Sequence, residues 1–298
     1  MTSPQFSFTP PWFEAPLYEE ARARRSLSNE VAAIVDDYHR DGYARIDFGF
    51  DEALLVEAAA QTKALFGETA RAQDLWRQSA AVRDLAAAPQ VLSLLSELYE
   101  RRAFPFQTLN FPAGSEQRTH SDTYHFNSFP PRFMCGLWIA LEDVDEGNGP
   151  LHYYPGSHKL PVVSVDDVGS LKYSDYEDYV ARLIARHEFR KELGILRRGE
   201  AILWSANLLH GGEPIREAGR TRLSQVNHYY FDGCAYFTPL NAQDGGPFLR
   251  APFDIARGRY VSNTVFGRPI FPKFRTALSA FMSNALKRAP SVPDKRKH

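Results

Sequence analysis

Cysteine is nearly absent from this chain of 298 residues: Cys135 and Cys234 stand alone, and neither belongs to a Cys-x-x-Cys pair. Two thiols exclude a disulfide framework and fit a reducing cytoplasm. Long apolar runs are missing too. Nothing approaches the ~20 residues a helix needs to cross a bilayer. The start, Met1 to Pro16, lacks the charged-then-apolar order of a signal peptide, so a soluble protein is expected. Nor is one sign of charge in surplus: Lys+Arg total 35 against 36 Asp+Glu, a formal net charge of -1 at pH 7. That balance gives no global field to attract nucleic acid or an anionic membrane. The expected partner is a small molecule, bound by a monomer or homodimer. Repeats and low-complexity blocks are absent as well.

What is present is a change of texture along the chain. Residues 1–28 interleave Pro4, Pro10, Pro11 and Pro16 with Phe6, Phe8, Trp12 and Phe13, which predicts an extended arm pinned by aromatics. A single catalytic domain over 29–286 follows, opened by a helical lead-in over 29–100. Asn29 to Asp41 carries Val31, Ile34, Val35 and Tyr38 at helical spacing, with Ser28 or Asn29 as cap and Gly42 as stop. Asp51 to Phe66 and Ser79 to Tyr99 read as further helices, the second broken at Pro89. From Phe104 short strand-like runs take over, at 104–111, 133–141, 150–154, 200–204 and 222–231. This order predicts a mainly β core of about 104–231, sandwich or barrel, with flanking helices. Ser174 to Lys191 reads as a helix inserted to roof a pocket, and 232–286 as a C-terminal elaboration. The basic tail, 287–298, has little apolar to bury and is expected to be disordered.

The chemistry gathers around Arg118-Thr119-His120-Ser121-Asp122. On an extended segment an imidazole and a carboxylate two residues apart share a side. A second imidazole, His210, arrives after the apolar run Ala201 to Trp204 and is followed by Gly211 and Gly212, which let backbone pass close to a site. Two histidines and one carboxylate on one face of a metal leave about three positions open, a set suited to Fe(II) with a bidentate 2-oxoacid and O2. Arg222, two residues before Ser224 on a strand-like run, supplies a planar fork beside a hydroxyl, a good receptor for a carboxylate. Arg220 competes for that role but sits nearer the turn at Gly219. His125 and His152 are rival ligands by position, and His158, in Pro155-Gly156-Ser157-His158-Lys159, is ranked structural or pocket-lining. Alternation after the ligand pair would send some of Tyr124, His125 and Phe126 toward the cavity, with Tyr153 closing it from outside.

These motifs in this order resemble the phytanoyl-CoA dioxygenase family of Fe(II)/2-oxoglutarate oxygenases, in particular its bacterial branch that includes ectoine hydroxylase. The resemblance covers about Gly42 to Phe231. It rests on His120-Ser121-Asp122, Gly136 to Leu141 with Asn148-Gly149-Pro150-Leu151, Pro155 to Lys159, Gly199-Glu200, and the Arg222 strand. It implies a double-stranded β-helix, the cupin-like jelly roll, and a hydroxylase that consumes 2-oxoglutarate and O2 and releases succinate and CO2. It further implies His120, Asp122 and His210 as iron ligands and Arg222 as anchor for the distal carboxylate of 2-oxoglutarate. Gln107 and Asn110 match family positions along the co-substrate, and Trp138 matches a flanking aromatic. One departure stands out: relatives often carry Ser or Asn shortly after the second histidine, where this chain has Gly211-Gly212-Glu213-Pro214, so Ser224 is expected to take over the hydroxyl role. Two other classes compete, a Zn-dependent hydrolase on the same ligands and a non-catalytic jelly-roll binding protein. The first gives Arg222 no task, and an intact ligand set speaks against the second.

Overall fold

A computed structural model describes residues 10–65, 71–243, 246–265 and 267–270. The expected tail 287–298 and the tip of the arm lie outside the described residues. Helices are α1 (Tyr18–Ala23), α2 (Asn29–Asp41), α3 (Glu52–Leu65), α4 (Ala80–Ala86), α5 (Pro89–Leu98), α6 (Val165–Val168) and α7 (Tyr173–His187). Strands are β1 (Tyr43–Asp47), β2 (Ala72–Gln73), β3 (Ala103–Phe111), β4 (Asn127–Phe129), β5 (Met134–Ala140), β6 (Leu151–Tyr153), β7 (Glu192–Gly194) and β8 (Glu200–Ser205). They continue with β9 (His210–Gly212), β10 (Ser224–Phe231), β11 (Ala235–Gln243), β12 (Gly246–Leu249), β13 (Phe253–Asp254), β14 (Arg259–Tyr260), β15 (Asn263–Val265) and β16 (Arg268–Ile270). Mainly β architecture with flanking helices is thus what the described residues form. Among them no helix is long and apolar enough to cross a membrane.

Local chemistry explains the helix ends. The Ser28 hydroxyl accepts from the Val31 amide and Gly42, at φ +84°, closes α2 in the left-handed conformation that glycine takes without strain. Pro89 opens α5 at its first turn, so the expected break falls between α4 and α5. The arm differs from its expectation. It is helical at Trp12–Glu14 and in α1, because Tyr18-Glu19-Glu20-Ala21-Arg22-Ala23 is a good helix former once Pro16 is passed. The aromatic pinning is real: Phe13 is fully buried, with ring centroids 5.3 Å from Tyr38 and 4.9 Å from Tyr99, and Trp12 Nε1 donates to Leu98 O at 2.8 Å.

Six antiparallel strands form one sheet in the order β1-β8-β5-β10-β3-β2, and a smaller sheet runs β7-β6-β9. Alternation sorts the large sheet into two faces. Leu137, Ile139, Leu203, Tyr229 and Phe231 join Val35, Tyr38, Leu85, Val91 and Leu95 of the helices in the main core. The opposite parity, Trp138, Ala140, Ile202, Trp204 and Val226, packs with Leu151 and Tyr153 of the small sheet. Arg222 and Leu223 lie just ahead of β10, not within it; the Arg222 amide donates to Pro112 O and Leu141 N to Leu223 O. The expected insertion is α7. Its Tyr176 is buried and stacks on Tyr124 at 3.8 Å between centroids, which draws the helix over the segment that follows His120.

Candidate metal centre

His120 and His210 face each other as an antiparallel bridge and exchange both backbone hydrogen bonds at 2.9 Å. Each imidazole is then fixed by its own backbone: Nδ1 of His120 donates to Arg118 O and Nδ1 of His210 to Leu208 O, both at 3.0 Å. A carbonyl can only accept, so each ring carries its proton on Nδ1 and turns an Nε2 lone pair outward, the arrangement in which histidine ligates a metal. Asp122 joins them by a route the sequence reading did not foresee. It begins a 3-10 turn, Asp122–Tyr124, capped by Ser121, instead of continuing a strand; Thr123 N bonds to Ala206 O. One ligand atom from each of His120, Asp122 and His210 lies within 4.8 Å of the others, and all three residues are buried.

The carboxylate is held asymmetrically. Trp204 Nε1 donates to Asp122 Oδ2 at 2.8 Å, while Oδ1 faces His210 Nε2 at 3.9 Å. Burial pushes the His120 imidazole down to about 3, with His210 adding to the effect, and burial likewise takes His228 to about 4, so both are neutral near pH 7. Burial alone would raise the Asp122 carboxyl, but the imidazoles of His210, His228 and His120 and the Trp204 hydrogen bond outweigh it and leave it below the ordinary carboxylate range. Neutral nitrogen donors with one ionised oxygen fit a divalent transition metal.

These groups open onto a cavity of about 370 Å³. Arg222 reaches it from the far side, 1% exposed, its Cζ 5.7 Å from the Phe111 ring and 5.6 Å from that of Trp138. Its Nε and Nη1 are buried without a hydrogen-bond partner, and Nη2 has a contact of 3.5 Å to Ala113 O. Burial lowers this guanidinium to about 10, which still leaves it charged at neutral pH. Arg220, the competitor, is ion-paired with Asp145 and Glu217 on the surface. Asn148 donates to Asp143 O and Thr221 O and so fixes the chain just before Arg222.

The structure distributes the other expected residues unevenly. Gln107, Trp138, His125 and Phe126 line the cavity. Ser224 has the cavity-facing parity of Val226 and a buried, unpartnered Oγ, yet is not part of the lining. Asn110 is a correction: it points to the other side of β3, where Nδ2 donates to Thr62 Oγ1 and Gln225 Oε1. Tyr124 and Tyr153 also stay out of the cavity. The 3-10 turn sends Tyr124 under α7, and Tyr153 packs on Tyr43 at 4.3 Å. Of the rival ligands, His152 is engaged by Thr119 Oγ1 at 2.8 Å and lies 2.9 Å from Glu213 Oε1, and His125 Nε2 is bonded to Tyr173 OH at 3.0 Å. His158 Nε2 donates to His39 O and sits under Gly42.

Four contributors escaped the sequence reading: Trp204, His228, Gln117 and Tyr173. His228 is buried with Nε2 3.6 Å from Asp122 Oδ2, and Gln117 Nε2 lies 3.2 Å from His120 Nε2. A signal for His228 existed, because it stands at even spacing from Ser224 on the same strand.

The described residues therefore define a buried two-histidine, one-carboxylate cluster that shares a cavity with an unpaired buried arginine. The chain belongs to the phytanoyl-CoA dioxygenase family, whose model matches residues 26–223. It is 26% identical over 162 residues to the peroxisomal phytanoyl-CoA dioxygenase of Rattus norvegicus, covering 51% of this chain and 46% of the rat protein. The Bos taurus enzyme is 25% identical over 139 residues, 42% of this chain and 40% of the relative. The chain thus spans less than half the length of these curated relatives. Among solved structures, the non-heme alpha ketoglutarate dependent epimerase SnoN from nogalamycin biosynthesis superposes with a TM-score of 0.59 at 20% identity, covering 82% of this chain and 96% of that one. EctD from S. alaskensis with 2-oxoglutarate and 5-hydroxyectoine gives 0.56 at 20%, covering 83% and 88%. At such identity the likeness speaks for the fold.

Proposed function

We propose that this chain is an Fe(II)- and 2-oxoglutarate-dependent dioxygenase that hydroxylates a small molecule, with succinate and CO2 as co-products. The observation that carries the reading is Arg222. Burying a guanidinium without a partner costs several kcal/mol, so the cavity calls for an anion from outside, and it does so beside a cluster whose donors suit iron. A zinc hydrolase on the same three residues leaves that charge without a purpose. Family membership and the solved relatives that bind iron, alpha ketoglutarate or 2-oxoglutarate support the same choice.

In this reading His120 Nε2, His210 Nε2 and Asp122 Oδ1 hold the metal, and the six-stranded sheet and the smaller sheet β7-β6-β9 belong to a double-stranded β-helix. Bound iron would supply the activation of O2 toward an unactivated C–H bond. Arg222 takes the distal carboxylate of 2-oxoglutarate, with the Ser224 hydroxyl as a further donor, and Gln107 and Trp138 flank it. Phe111, Trp138 and Leu151 exclude water around that carboxylate and strengthen its pairing with Arg222. The buried free thiols of Cys135 and Cys234 accord with a reducing cytoplasm. The test is anaerobic titration of 2-oxoglutarate into the Fe(II)-loaded protein, then O2 consumption with succinate analysis. Binding in wild type and its loss in Arg222→Ala are expected; binding that survives that substitution would overturn the assignment.

A further inference from the structure

The cavity has a second cationic wall that this function leaves unused. β2 is an edge strand whose Gln73 pairs with Leu109 of β3. Arg71, directly before this strand, and Gln73 within it both line the cavity together with Leu109. Arg71 is exposed at this rim, and the ion pairs formed among the described residues do not include it. A second guanidinium stands one ring away. Arg250 lies 4.8 Å from the centroid of Phe126, whose ring lines the cavity, and 5.8 Å from that of Phe106. Its Nη1 donates to Thr238 Oγ1 at 3.0 Å, but its Nε is buried with no hydrogen-bond partner, and among the described residues no carboxylate pairs with it.

The charge balance of the cavity is one-sided. Its lining carries Arg71 and Arg222 against a single carboxylate, Asp122, which is tied to Trp204 and the histidines. Low-dielectric walls focus such a field and raise the local concentration of the opposite charge. His125, also in the cavity lining, registers both arginines: burial first of all, then Arg250 and Arg71, hold its imidazole below the usual range against the pull of Asp122.

Resting on the dioxygenase reading, in which 2-oxoglutarate occupies Arg222, we propose that the substrate is an organic anion. Its carboxylate or phosphate group docks at Arg71 and Gln73, with Arg250 adding positive potential from behind Phe126. Its carbon skeleton lies along Leu109, Phe126 and Leu240 toward the metal cluster. A cationic substrate would meet like charge at the rim, and a neutral one would leave both guanidiniums without an anionic partner.

The test uses the anaerobic protein loaded with Fe(II) and saturating 2-oxoglutarate, so that Arg222 is occupied. Four probes of one skeleton type are titrated by calorimetry: 3-phenylpropanoate, 2-phenylethyl phosphate, 3-phenylpropanol and 3-phenylpropylamine. At least one anion is expected to bind tenfold or more tighter than the alcohol and the amine. Whichever anion prevails names the group. Arg71→Gln should cut that preference several-fold and Arg71→Glu should abolish it, with the melting temperature unchanged because Arg71 is exposed. The proposal is overturned if neither anion binds at millimolar concentration, if the alcohol or amine binds as well as the anions, or if the preference is unchanged in both variants. Failure of the underlying reading shows separately, as absence of 2-oxoglutarate binding to the Fe(II) protein. In that case the same probes on the protein without co-substrate still report on Arg71 through the variants.

Discussion

Trp204 holds Asp122: the indole Nε1 donates to Oδ2 at 2.8 Å, and the ring lies across Gly136 of the neighbouring strand, where an added Cβ would come within 2.3 Å of it. Gly136 and Trp204 are cross-strand partners, so the missing side chain of one makes room for the other. The carboxylate is thereby turned with its second oxygen toward His210. Hydrogen-bond donors of this kind orient a ligand, and losing one typically weakens metal affinity about 10–100-fold. Trp204→Phe keeps the ring and removes the donor. We expect Co(II) or Mn(II) affinity to fall by about that factor in calorimetry while the melting temperature changes little; unchanged affinity would show that the hydrogen bond does not position Asp122.

Gly136→Ala tests the other half of the pair. The methyl group would press on the indole from within a fully buried strand. Overpacking of this sort costs ~1–3 kcal/mol, so a lower melting temperature and weaker metal binding should appear together. A variant as stable as wild type with intact affinity would show that the indole can move aside.

How much of this was legible beforehand depends on how local the cause is. Ser28, Gly42 and Pro89 act within a turn of their own positions, so α2, α4 and α5 could be placed from sequence. His120, Asp122 and His210 do come close together, as their spacing suggests, but Asp122 gets there through a 3-10 turn fixed by Ala206 and Asn207, tertiary contacts with no local signature. Gln107 and Asn110 are three residues apart, and strand alternation alone should have sent only one of them into the cavity. The Trp204 indole and the His228 ring are aimed by strand pairing across the sheet, which periodicity along a single strand does not encode. Tyr173 comes from an inserted helix whose docking depends on the stack between Tyr124 and Tyr176.

Arg222 sets function against stability. Losing one side of a buried charge-assisted contact costs ~2–5 kcal/mol, so Arg222→Ala should raise the Kd for 2-oxoglutarate at least about 30-fold, whereas Arg220→Ala, on an exposed pair worth ~0–1 kcal/mol, should leave it within a few-fold. In the ligand-free protein the sign reverses. The guanidinium is buried without a partner, and replacing a buried charge by an apolar side chain of similar volume is often stabilising. Arg222→Met should therefore melt higher than wild type when no ligand is present and lower when 2-oxoglutarate is added to both. Equal effects at Arg220 and Arg222 would move the anchor.

Acid should destabilise the ligand-free fold below about pH 6.5. Burial, then Lys159, hold His158 at about 3 in the folded protein, against 6.5 for the free side chain. Between those values the unfolded chain binds the proton and the folded one does not, so stability is complete above pH 6.5 and falls as pH drops, by ~1.4 kcal/mol per unit for such a group. His158→Gln can keep a donor toward His39 O without titrating. Its stability between pH 6.5 and 4.5, from urea unfolding, should depend less steeply on pH than that of wild type; parallel curves would mean that His158 is accessible to protons in the folded state.

His125 provides the sharpest separation between ligand and neighbour. Its ring lies 6.2 Å from that of His120 in the same cavity, but its Nε2 is taken by the Tyr173 hydroxyl at 3.0 Å and its chain has left the strand by way of the turn at Asp122–Tyr124. His120 instead has Nδ1 fixed by Arg118 O and directs Nε2 toward the cluster. His125→Ala should leave Fe(II) and 2-oxoglutarate binding within about twofold, since the hydrogen bond it loses is to Tyr173 and not to the metal cluster or Arg222. His120→Ala should remove both the metal and the visible absorbance of the iron/2-oxoglutarate complex under anaerobic conditions. If the absorbance instead vanished in His125→Ala and persisted in His120→Ala, His125 would be the ligand, and the bridge between His120 and His210 would be only a structural crossing of two strands.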